Sequence, residues 1–126
     1  MSSLKELTAE TLLSSTTVAL NATGATTLYT VPTGKRCVIT KAVLVAGADA
    51  STSALTIGKS TALTDFLNTQ TLTGINAQYD TAILQPIPAA TTVLSKSYAA
   101  ADIIQVNVTT GSGGASNTMF LFGFIY

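Results

Sequence analysis

A chain of 126 residues is the length of one domain built round a single core. Charged residues are only 10% of it, six basic against six acidic, while 47% is apolar; this leaves no basic stripe for nucleic acid and no acidic tail. An ordinary soluble domain carries about 25% charged residues, and here Thr, Ser and Ala stand in their place, as expected of a surface held against other protein subunits, with a neutral β-domain as the plainer alternative.

Residues 1–25 differ from the rest. Leu4, Leu7 and Leu12 are isolated apolar positions, and Ser14-Ser-Thr-Thr17 and Asn21-Ala-Thr-Gly-Ala25 break any helical period. The expectation is an extended arm that docks its leucines on a neighbouring subunit, with Thr16–Leu20 able to add an edge strand. The opening Met-Ser-Ser-Leu-Lys-Glu mixes charges and lacks an apolar h-region, and no apolar run reaches bilayer length, so synthesis in a cytoplasm and no membrane partner are expected.

From residue 26 to residue 126 the pattern is that of a β-sandwich. Strands are predicted over 26–31, 36–46, 54–58, 79–85, 92–96, 103–109 and 118–126, the close spacing of an all-β domain. Between the first two, Pro32 presets φ for a turn and Gly34 supplies the positive φ that closes it. Lys35 and Arg36 follow at its tip as the densest basic spot, a contact for an acidic partner surface or simply two solvated charges.

The 36–46 strand is apolar on both faces, which places it centrally or beneath another subunit. Residues 59–78 read as a long excursion with one or two helical turns over 61–68, and Phe66 and Leu67 there are candidate partner contacts. In the 103–109 strand Ile104, Val106 and Val108 mark one inward face. The Gly111-Ser-Gly-Gly-Ala-Ser-Asn117 stretch leads into a strand, not a helix, so it is a hairpin loop and not a phosphate cradle. The last strand sets Phe120, Phe122, Phe124 and Tyr126 on one side, and Met119, Leu121 and Ile125 on the other, with Gly123 for close approach. Such a strand must pair centrally.

Catalytic chemistry has little to build from. There is no His, no Trp and a single Cys, so tetrahedral zinc, hydrolytic triads and intrachain disulfides have no residues. Cys37 reads as a small buried hydrophobe. The carboxylates Glu6, Glu10, Asp49, Asp65, Asp80 and Asp102 are scattered, with no paired-acid pattern and no alternating calcium loop, Asp49 and Asp102 reading as turn residues. Tyr29, Tyr79 and Tyr98 are the material for an aromatic sugar platform or for rim packing. The chain is expected to be no enzyme and to carry no cofactor.

The run Leu28-Tyr-Thr-Val-Pro-Thr-Gly-Lys-Arg-Cys-Val-Ile-Thr-Lys41, the Ala54-Leu-Thr-Ile-Gly58 strand and the Tyr98-Ala-Ala-Ala-Asp102 step before Ile103-Ile-Gln-Val-Asn-Val108 resemble the capsid decoration, or cement, proteins of tailed bacteriophages. The resemblance implies a jelly-roll-like antiparallel β-sandwich, a homotrimer, and a place on the outside of the virion head bound to the major capsid protein. Its alternatives are a tail, neck or fibre-base protein of the same fold, or a carbohydrate-binding module. The 59–78 excursion and the arm depart from the pattern, so it transfers no docking site.

Overall fold

The computed structural model describes residues 10–86, 90 and 97–126. Among them every regular element is a strand: β1 (Thr11–Val18), β2 (Gly24–Thr30), β3 (Cys37–Val45), β4 (Ala54–Lys59), β5 (Ala62–Thr71), β6 (Thr81–Leu84), β7 (Ser97–Tyr98), β8 (Ile103–Thr110) and β9 (Asn117–Ile125). They form two antiparallel sheets, one ordered β1-β9-β3-β6 with β7 also on β3, the other β2-β8-β4-β5.

Four antiparallel pairs, β1 with β9, β2 with β8, β3 with β6 and β4 with β5, are those of one long folded ribbon wound into a barrel. The joins β9 to β3 and β8 to β4 close each sheet. This is the jelly roll, and it follows from sequence in a simple way. Alternation in β8 and β9 sends Ile104, Val106, Met119 and Leu121 inward, where all four are 0% exposed. They meet Ile39, Leu44, Leu55 and Ile57 from β3 and β4 in one core. Each such side chain contributes about 1.5–3 kcal/mol on burial.

Both chain-central expectations hold: β9 lies between β1 and β3, and β3 lies between β9 and β6. Gly123 lets them approach, since a Cβ there would sit 2.1 Å from the Val38 carbonyl oxygen. Gly34 takes φ 76° in the turn after Pro32, and the Lys35 amide donates to the Pro32 carbonyl at 3.2 Å.

Two expectations are corrected. The arm drawn over 1–25 does not extend through its second half, because Thr11–Val18 is β1, paired with β9 along its length, and the next strand begins at Gly24. The run Ser14-Ser-Thr-Thr17 contains β-branched threonines that suit a strand, and Val18 and Leu20, both 0% exposed, anchor its end in the core. The helical turns expected over 61–68 are instead β5, which returns on β4 through a tight Ser60–Thr61 turn. Its irregular pattern reflects register shifts on either side of Ile57, where bulges break the period of two. The 92–96 strand and residues 1–9 lie outside the described residues.

Candidate functional site

The loops at one end of the sandwich are bonded into a single unit. Leu20 exchanges backbone hydrogen bonds with the 112–114 segment, and Ala50 donates to the Ile75 carbonyl at 2.9 Å. Asn117, only 2% exposed, is the centre of this unit: its Oδ1 accepts from the Gly47 amide at 2.8 Å and its Nδ2 donates to the Val18 and Gly114 carbonyls at 2.9 Å each. Both of its donors and its carbonyl oxygen are engaged inside the fold.

The aspartates are used the same way. Asp49 accepts from the Ser51 amide, Asp80 from those of Asn76 and Ala77, and Asp102 from that of Ala99. The Ser51 bonds hold the Asp49 carboxyl below the usual carboxylate range. Asp65 accepts from Tyr98 Oη and from the Lys59 amide. Asp49, Asp80 and Asp102 each serve their own loop and Asp65 ties β5 to β4 and β7, and among the described residues no three metal-ligating side chains gather. The tyrosines do not share an exposed face: Tyr98 is 2% and Tyr79 75% exposed, and Tyr29 packs against the core.

The two outward sheet faces differ sharply. On the β2-β8 side the outward residues are Ala25, Thr27, Gln105, Asn107 and Thr109, with Gln105 Nε2 donating to Thr27 Oγ1 at 3.1 Å. That is how this chain meets water. On the β1-β9-β3-β6 side the outward rows are Leu12, Phe122 and Lys41, then Ser15, Phe120, Val43 and Ile83, then Thr17, Thr118, Val45 and Thr81. Phe124 beside Val38 extends the apolar surface toward Ser97. Leu12 and Ile83, at its two edges, are 50% and 64% exposed, and the Phe and Val side chains between them are half-buried.

Charge on this face is internally cancelled. Lys41 Nζ lies 3.5 Å from Glu10 Oε1 and 5.3 Å from the Phe122 ring centroid, and the Thr40 hydroxyl also bonds Glu10. An ion pair so open to solvent adds little stability, but it leaves the face neutral. A contiguous apolar plate bordered by Thr and Ser has the make-up of a protein contact surface.

Of the candidate partner contacts read from the sequence, only Leu12 is found on this plate. Leu4 and Leu7 are outside the described residues. Phe66 and Leu67 are 6% and 7% exposed, so they belong to the core and are no contact for a partner; β5 turns them inward where a loop would have left them free. Arg36 sits at a corner with Nε and Nη2 on Ser97 Oγ at 3.3 and 3.2 Å, beside the Tyr126 hydroxyl 3.1 Å from the same oxygen. It is bound into the strand ends. Lys35 stays exposed in the turn. Ile83 carries no signal in the sequence, since the four residues of β6 are too few for their alternation to mark a face.

A groove of about 590 Å³ opens between β5 and β6, with Leu72, Ile75 and Leu84 among its lining and Gln70, Thr71 and Gln85 beside them. Pro86 is the last residue of its lining. No family model, curated protein or solved structure matches the chain.

Proposed function

We propose that the chain is a structural subunit of a virion, a capsid decoration protein that attaches to the outside of a bacteriophage head and stiffens it by bridging neighbouring capsid subunits. The observation that carries this reading is the apolar outer face of β1, β9, β3 and β6, set against the polar outer face of the other sheet. A fold with one dry and one wet outer face is suited to lying between protein and solvent. The low charge of the chain and its resemblance to cement proteins point the same way.

Function on this reading is mechanical. Each attached copy adds buried interface across a junction, and anything that binds the assembled shell and not its separated parts stabilises the shell by mass action. The jelly roll itself hosts many unrelated functions and does not choose among them.

Immunogold labelling of particles from a lysate in which the chain is made tests the reading. Label spread over the head is expected. Label confined to tail or neck would move the chain to that part of the virion, and intact particles without label would overturn the virion reading.

A further inference from the structure

We propose that the groove between β5 and β6 receives residues 1–9 of a neighbouring copy as an added strand, so that copies join head to tail in a closed ring. This rests on the reading of the chain as a subunit of an assembly and names how its copies hold one another.

One wall of the groove is a strand edge. The Ala46 amide donates to the Asp80 carbonyl at 2.9 Å, and the Tyr79 amide donates to the Ala46 carbonyl at 2.8 Å. Bonded and non-bonded positions alternate along an antiparallel pair. In the unbroken register that follows, Ala82 and Leu84 therefore bond to Leu44 and Ala42, while Thr81 and Ile83 turn their amides and carbonyls away from β3. Both residues line the groove, and these groups have no backbone partner among the described residues. The other edge strands, β1, β2 and β5, each carry a register shift, one of the devices that blunt an edge. β6 carries none, and has neither charge nor proline. Such a row of main-chain donors and acceptors recognises another backbone, with a side chain of the added strand seated in the adjoining pocket.

The lining states what that strand carries. No charged residue is among the described lining, and Leu72, Ile75 and Leu84 make its apolar part. Residues 1–9, Met-Ser-Ser-Leu-Lys-Glu-Leu-Thr-Ala, match it: Lys5 and Glu6 cancel in charge, and Leu4 and Leu7 supply apolar side chains.

Position selects the neighbouring copy. Residues 1–9 lead through Glu10 into β1, at one edge of the β1-β9-β3-β6 sheet, and the groove lies at the other edge. The two are close in height, since Thr11 is level with Ile39 through Gly123 and Leu84 pairs with Ala42. Nine extended residues reach about 30 Å, of which the four positions of β6 take about 13 Å, leaving roughly 17 Å to cross between copies set side by side. Within its own copy the segment would have to pass the ends of β9 and β3 and round β7. A contact between two different edges is heterologous and closes into a ring. It agrees with the homotrimer that the resemblance implies, and it leaves the phenylalanine face free for the shell.

The test is the mass of the full chain by sedimentation equilibrium, read against three variants whose folding circular dichroism verifies. One lacks residues 1–9, Ile83→Pro removes an amide that faces away from β3, and Ile83→Ala shortens the same side chain but keeps that amide. The expected result is a trimer for wild type and Ile83→Ala, a monomer for the chain lacking residues 1–9, and an association weakened about 10-fold or more per contact in Ile83→Pro. A labelled synthetic peptide of residues 1–9 is expected to bind the shortened chain, and to lose that binding when its Leu4 and Leu7 are both replaced by Asp.

A monomeric wild-type chain overturns the proposal, as does an oligomer that survives removal of residues 1–9 or is indifferent to Ile83→Pro. So does a wild-type monomer whose shortened form binds the peptide, because the segment would then fill the groove of its own copy. The virion reading fails separately: trimers that form and dissociate as stated, yet do not sediment with purified shells, support the strand exchange and refute the attachment.

Discussion

Tyr98 Oη donates a hydrogen bond to Asp65 Oδ1 at 2.8 Å, tying β7 of one sheet to β5, the edge strand of the other. Tyr98 is 2% exposed, and burial, reinforced by the bond to Asp65 and its negative charge, pushes the phenol well above its ordinary value of 10.0. The clasp exists only while the phenol keeps its proton.

The sign of the pH dependence follows. A folded pKa raised above the unfolded one gives stability that is complete below the unfolded value and lost as pH rises toward the folded one. Urea midpoints of the wild type are therefore expected to hold to about pH 9 and fall above about pH 10. The Cys37 thiol, pushed by burial from 9.0 to about 11, adds a loss in the same direction, which a Cys37→Ala background removes. In that background Tyr98→Phe should lower stability at neutral pH by about 1.5–3 kcal/mol and flatten the alkaline limb. Parallel limbs in the two proteins would show that Tyr98 is not the titrating group.

Asn117→Ala removes three hydrogen bonds at once and strands the Gly47 amide, while the Gly114 carbonyl still accepts from the Leu20 amide. The expected loss is about 2–4 kcal/mol in urea unfolding, with faster amide exchange at Gly47 and Leu20 before any change in β8. A loss under about 0.5 kcal/mol would mean that the loop unit holds without it.

Gly123→Ala places a methyl group 2.1 Å from the Val38 carbonyl oxygen. A backbone atom cannot step aside as a side chain can, so β3 and β9 must part. Destabilisation of about 1–3 kcal/mol or more is expected, read as a lower thermal midpoint.

Thr56 is 2% exposed, and its hydroxyl has no hydrogen-bond partner among the described residues. Replacing an unsatisfied buried hydroxyl by a methyl removes a desolvation cost. Thr56→Val is expected to match or raise the wild-type thermal midpoint. A fall of several degrees would reveal a partner for that hydroxyl.

Much of this fold is legible in the sequence where the period of two is clean. Ile104, Val106 and Val108 announce the inward face of β8, and Phe120, Phe122 and Phe124 against Met119 and Leu121 announce a strand apolar on both sides. What pattern reading misses is set by contacts distant in sequence. Asp65 and Asn68 are weak strand formers, yet β5 is held by β4 and by the Tyr98 clasp, so tertiary pairing overrides local preference. The sequence marks an edge strand only over Thr16–Leu20, and the rest of Thr11–Val18 is recognisable as one only once β9 is in place to pair with it. The contact face is half legible for the same reason: its centre lies on long, periodic β3 and β9, whereas Leu12 and Ile83 join it only through the register of the edge strands.

The most direct test of the account is a cryo-electron microscopy map of particles carrying this chain. The account predicts sandwich density on the head exterior, with the Phe120, Phe122 and Val43 face covered by protein and the Gln105, Asn107 and Thr27 face toward solvent. Particles lacking that density, or sandwiches whose phenylalanine face is bare while the polar sheet makes the contacts, would contradict it.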